Sequence, residues 1–192
     1  MPRAGLNPER VAAEAAAVAD EVGLDRLTLA AVAQRLGVSL PSLYKHVRGL
    51  DGLRRDLSVL SVREVTGVLA AAAVGRSGRD ALVAIAAAYR EYARAHPGRA
   101  AATVRAPDPD DAEYLEVAAG AVQVLRAVLA GCGVGEEDAV DAIRCLRAAM
   151  HGFAVLERAG GFGLPDSVDA TYARLIDGLY DMVAAWADGR RR

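Results

Sequence analysis

The chain has 192 residues, 53% hydrophobic and 25% charged, with a formal net charge of −2 at pH 7. That is enough apolar material for a core in one or two domains, and it excludes a disordered chain. With no run of about 18 uninterrupted apolar residues, and with Cys132 and Cys145 as the only cysteines and no CxxC spacing, it also argues against a membrane span, a disulfide framework and a metal site.

The elements follow in chain order. The N-terminal segment lacks a signal-peptide apolar core, so the chain is expected in the cytoplasm. Asn7-Pro8 supplies a cap and a first-turn proline for a helix whose stripe is Val11, Ala15, Val18, Ala19 and Val22, ending at Gly23. Thr28 can cap the next, in which Leu29, Val32, Ala33 and Leu36 recur at three- and four-residue spacing, and Gly37 stops it. Ser39 is placed to cap a third helix that begins Leu40-Pro41-Ser42 and buries Leu43 and Val47, leaving Ser42, Tyr44, Lys45 and His46 outward.

A long helix is predicted from Asp51 to about Val74, followed by a break at 75–78. Ser77 can then cap a helix that stops at His96-Pro97-Gly98, with a short piece after it. Acids after Pro107 favour the positive end of a helix whose inward residues run from Tyr114 to Leu129 and which ends at Gly131. Two long helices, Glu136 to Ala159 and Ser167 to about Asp188, close the chain, and Arg190, Arg191 and Arg192 form a basic end expected to fray. The fold class is therefore all-α with about nine helices. Residues 1–50 form a three-helix head, and residues 51–192 form a helical body.

Residues 28–47 read as two short helices joined by a tight turn, a shape that fits a DNA major groove. In such a motif the second helix enters the groove, while hydroxyls around it reach phosphates. Lys45, the only lysine in the chain, adds a point charge. From Arg35 to Arg55 five basic residues (Arg35, Lys45, Arg48, Arg54 and Arg55) face one acid, Asp51, a surplus of four on an acidic chain. A solvated helix face is the plainer reading of the same residues.

The run GLDRLTLAAVAQRLGVSLPSLYKHVRGLDGLRRDL, within Val11 to about Leu57, resembles the N-terminal DNA-binding domain of the TetR family of transcriptional regulators. The resemblance rests on the Ala-rich first helix, the Gly-Leu-Asp-x-Leu-Thr junction, Val-Ala-x-x-Leu-Gly-Val-Ser and Leu-Tyr-x-His-Val. It implies that Thr28, Ser42, Tyr44 and His46 contact the phosphate backbone, and that Ser39, Leu40, Pro41 and Lys45 approach bases or the groove wall. Many members carry a lysine where this chain has Leu50, which makes Arg48 the substitute phosphate contact. It further implies a homodimer on a palindromic operator, released by a small-molecule effector.

In the body, the last two helices carry apolar residues on more than one face, and an unpartnered apolar face calls for a second chain. Phe153, Leu156, Leu175, Leu179, Met182 and Trp186 are the candidate dimer contacts, and the resemblance implies a four-helix dimer bundle. Tyr89, Tyr92, His96, Arg99, Tyr114, Arg144, Arg147 and His151 are polar groups within apolar helices, the composition of an effector pocket wall. No GxSxG, phosphate-binding glycine loop or HExxH occurs, so an enzyme is disfavoured and no cofactor is implied. The alternatives to a ligand-gated repressor are a helical adaptor with a degenerate head and a regulator without a small-molecule gate.

Overall fold

A computed structural model describes residues 5–189, with side chains through Trp186; the Arg190–Arg192 end and the first four residues lie outside the described residues. Helix α1 (Pro8–Val22) starts where Asn7 Oδ1 accepts the Arg10 N–H at 2.8 Å. A 3₁₀ turn (Leu24–Arg26) leads to α2 (Leu29–Leu36), capped by Thr28 Oγ1 on the Ala31 N–H at 3.2 Å and ended by Gly37 at φ 66°, ψ 33°. This left-handed conformation carries no Cβ penalty for glycine. Next come α3 (Leu40–Leu43), α4 (Gly49–Ala73), α5 (Gly78–Ala95), α6 (Pro97–Ala102), α7 (Ala112–Gly131), α8 (Glu136–Arg158) and α9 (Val168–Gly189). Among the described residues the fold is all-α, with nine α-helices and no strand.

Helix α3 is shorter than the expected run to Val47. After its single turn the His46 N–H donates to the Leu43 carbonyl at 2.9 Å, a tighter three-residue closure. Val47 leaves the helix and is buried in the head, and Gly49 at φ 73° starts α4. Ser39 occupies the N-cap position, but its hydroxyl meets that of Ser42 at 2.9 Å instead of a backbone N–H.

The chain forms two compact units. Among the described residues, the first contains those up to Val65 together with Ala95–Ala118; the second contains Thr66–Arg94 and those from Ala119 on. In the first, Val11, Ala15, Ala19, Leu27, Val32, Leu43, Leu53 and Leu57 form the core. Complete burial of a Leu such as Leu43 contributes roughly 1.5–3 kcal/mol. Helix α6 lies directly on α1: a Cβ on Gly98 would overlap the backbone carbonyl of Ala19. The Arg99 N–H donates to Asp20 Oδ1 at 2.9 Å, and the Arg99 guanidinium reaches Glu64 at 3.1 Å.

In the second unit Ile85, Leu146, Met150, Phe153, Tyr172, Ile176 and Val183 are buried. The Arg90 guanidinium lies 4.7 Å from the Tyr172 ring centroid and 5.4 Å from that of Phe153, and forks onto Glu157 at 3.0 and 2.5 Å. Those hydrogen bonds, with others from Arg94, hold the Glu157 carboxyl down at about 2. Tyr172 donates to the Ala86 carbonyl at 2.8 Å, so its phenol is satisfied within the core.

Candidate nucleic-acid interface

The head fixes α3 from beneath and leaves its outer side open. Leu43 is fully buried and Val47 nearly so, while Tyr44 is 54% and Leu40 37% exposed. Thr28, Ser39, Pro41, Lys45 and Arg48 are also exposed; Ser42 and His46 are half-buried. The short helix and the turn that follows it thus present Leu40, Pro41, Tyr44 and Lys45 to solvent on a base that cannot rotate without exposing Leu43. Ser42 and His46 offer less surface than the helical spacing predicts, because the chain tightens at His46 and Ser42 turns to Ser39.

Three of the five basic residues counted between 35 and 55 are occupied or withdrawn. Arg35 pairs with Glu14 at 3.0 Å and Glu21 at 2.6 Å, both on α1, and these bonds raise its pKa. Arg55 forks onto Asp111 at 2.6 and 2.5 Å and also meets Asp56 and Glu113. The Asp111 carboxyl is held at about 2 as a result. Arg54 is partly buried. Lys45 and Arg48 are therefore the exposed cations of the five that carry no ion pair among the described residues, a smaller positive patch than a linear count implies, because the carboxylates that pair Arg35 and Arg55 come from outside the counted segment. Leu50 packs against the head core, so its place on α4 contributes to packing and leaves Arg48 as the adjacent cation.

The eight polar body residues fall in separate places. In the second unit Tyr89 Oη lies 2.8 Å from His151 Nδ1. Burial pushes the Tyr89 phenol up to about 12 and, with the charge of Arg147, lowers the His151 pKa. At neutral pH the contact therefore joins a neutral phenol and a neutral imidazole, with the imidazole tautomer setting which of them donates. Tyr92 is buried on α5, whereas Arg144 is exposed and pairs with Asp141 at 3.1 Å. Arg147 is exposed on α8. In the first unit His96 and Arg99 meet Asp20, and Tyr114 donates to the Arg105 carbonyl at 2.7 Å. These three make structural contacts that brace α6 and the start of α7.

Of the six proposed dimer contacts, Phe153 and Leu179 are buried within their own unit; the Phe153 ring centroid lies 4.7 Å from Phe162 and 4.8 Å from Tyr172. Leu156 is 52% exposed, and Leu175, Met182 and Trp186 are half-exposed. The sequence pattern did not single out Val155, which is 50% exposed beside Leu156.

Comparison with known proteins gives consistent matches. A family model described as bacterial regulatory proteins, tetR family, matches residues 12–57, and one described as tetracyclin repressor-like, C-terminal domain, matches residues 82–179. The chain is 37% identical over 191 residues to the uncharacterized HTH-type transcriptional regulator Rv0681 of Mycobacterium tuberculosis, covering 98% of this chain and 84% of that protein. Among solved structures, a Rhodococcus protein of unknown function superposes with a TM-score of 0.76 at 24% identity, over 96% of this chain and 99% of that one. A TetR variant from Acinetobacter baumannii in complex with minocycline does so with a TM-score of 0.71 at 23% identity, over 97% and 99%. At those identities the two structures speak for the fold.

Proposed function

Because the chain belongs to the TetR family of transcriptional regulators, we propose that it is a ligand-responsive repressor that binds a palindromic operator as a homodimer and is released by a small-molecule effector. The observation that carries this reading is the exposed set Leu40, Pro41, Tyr44 and Lys45 held over a fully buried Leu43. In a helix-turn-helix the first residues of such a helix meet base edges, and the surrounding donors meet phosphates. Ser39, Leu40, Pro41 and Lys45 then read or line the groove; Thr28, Ser42, Tyr44, His46 and Arg48 position the head on the backbone. Residues 1–50 bind DNA, and residues 51–192 bind effector and partner.

Exposed Leu156 and half-exposed Leu175, Met182 and Trp186 support a second copy seated on α8 and α9. Two heads related by a two-fold axis read half-sites roughly one helical turn apart. The neutral Tyr89–His151 pair, with Arg147 nearby, is the best-supported part of an effector wall in the body. An effector acts only through its difference in affinity between the DNA-competent and released forms, and α4, which runs on from the head, is the element whose shift would release the operator. Helix α7 has the length and composition of a membrane span, but Glu113 pairs with Arg55 and Arg63 and Arg126 pairs with Glu136, which supports a soluble, cytoplasmic regulator. The reading includes no cofactor and no catalysis.

Selection of bound oligonucleotides from a random duplex pool by the full chain tests it. The enriched sequences should converge on an inverted repeat; enrichment without sequence preference contradicts the proposal.

A further inference from the structure

Within the first unit, a cavity of about 170 Å³ opens where the 3₁₀ turn, α4 and the end of α6 meet. Leu24, Ala101 and Ala102 give it apolar wall, and Arg54, Arg105 and Asp25 bring charge to it. The Nε of Arg54 is buried and has no hydrogen-bond partner. A buried guanidinium N–H without an acceptor is costly, and such groups in folded proteins are ordinarily met by a protein atom, a water or a ligand. Asp25, the carboxylate that lines the cavity, does not accept from that Nε, and Asp56 and Asp111 are engaged by the adjacent Arg55. Ser58, 98% buried by its 2% exposure, uses its hydroxyl hydrogen on the Arg54 carbonyl at 3.0 Å, so the guanidinium groups are the donors left for a guest.

Size and charge define that guest. At about 30 Å³ per water, the cavity has room for on the order of five waters. It falls below the roughly 300 Å³ at which sites for drug-sized molecules begin. Two arginines against one acid leave it positive, and the planar guanidinium fork matches the spacing of oxygens on a carboxylate or phosphate. Tetrahedral oxygens suit donors arriving from two directions, Arg54 on α4 and Arg105 beyond α6.

We propose that this cavity binds a small phosphate-class oxyanion, held by Arg54 and Arg105, within the first unit. The site is separate from the effector wall on α5 and α8, and its occupancy ties α4 to the chain that follows α6. The oxyanion is free inorganic phosphate or a backbone phosphate of bound DNA, and the two sources are separable by experiment. Calorimetric titration of the full chain with sodium phosphate, against sodium chloride of equal ionic strength, should show saturable binding of one phosphate per chain. Arg54→Met should weaken it at least tenfold, and Arg105→Ala, an exposed position suited to a stably folded variant, should weaken it several-fold. If free phosphate gives no saturable heat but either variant weakens binding to all duplexes and flattens the salt slope by about one, the oxyanion is that of DNA, and the phosphate site stands. Phosphate behaving as chloride does, with both variants matching the parent on duplex DNA, overturns it.

Discussion

Tyr44 and Lys45 differ in what they bring to the exposed side of α3, and that difference separates their effects. Tyr44→Phe removes a neutral donor, so affinity for every duplex should fall by about 0.5–1.5 kcal/mol, with the salt slope unchanged. Lys45→Ala removes a charge, so the slope of log affinity against log salt should become shallower by about one, and base preference should shift if the side chain reaches into the groove. Fluorescence polarisation over a salt series reads both. In the second unit, Glu157 is ionised because Arg90 and Arg94 hold it, with its pKa lowered from 4.5 to about 2. A carboxyl depressed on folding contributes stability that is fully present above its unfolded value. That contribution is lost as pH falls from about 4.5 towards 2. Urea midpoints should therefore drop over that window, and Glu157→Gln should flatten the drop while costing about 1.5–3 kcal/mol at pH 7, the range for hydrogen bonds to charged groups. An unchanged acid profile in that variant would remove Glu157 from the account.

At the scale of elements, α6 approaches α1 closely in the first unit. Because a Cβ on Gly98 meets the Ala19 carbonyl group, Gly98→Ala should lower stability by about 1–3 kcal/mol, as overpacking does, and urea denaturation measures it. Stability equal to the parent would mean that α6 sits further from α1. Much of the element pattern was legible in sequence because caps are local. Asn7, Thr28 and Ser167 lie three residues from the N–H groups they accept, and Gly37 carries its own signal. The contacts of Gly98, by contrast, depend on a residue 79 positions earlier, and nothing in PGRAAA announces them. The same limit shaped the site. Exposure of Tyr44 and Lys45 follows from spacing to buried Leu43, but the charges of Arg35 and Arg55 are paired by Glu14, Glu21 and Asp111, which local counting does not see. Tyr89 and His151 were selected by residue type, and their 2.8 Å contact arises only when α5 and α8 pack.

For the whole molecule, the proposed reading requires two copies. Apolar surface remaining at Leu156 and Trp186 is the place to break them apart. Leu156→Glu with Trp186→Arg should sediment as a monomer and bind single half-sites weakly, since the second head no longer contributes through effective concentration. A variant that stays dimeric would move the interface off these residues. In the proposed function this chain reads DNA sequence through α3 and the turn that follows it. Fluorescence polarisation of the full chain on its selected operator and on a scrambled duplex of equal length, at near-physiological salt, tests that most directly. Binding to the operator should be at least about 10³-fold tighter, with both affinities falling linearly in log salt. Equal affinity for the two duplexes, or no binding to either, would contradict it.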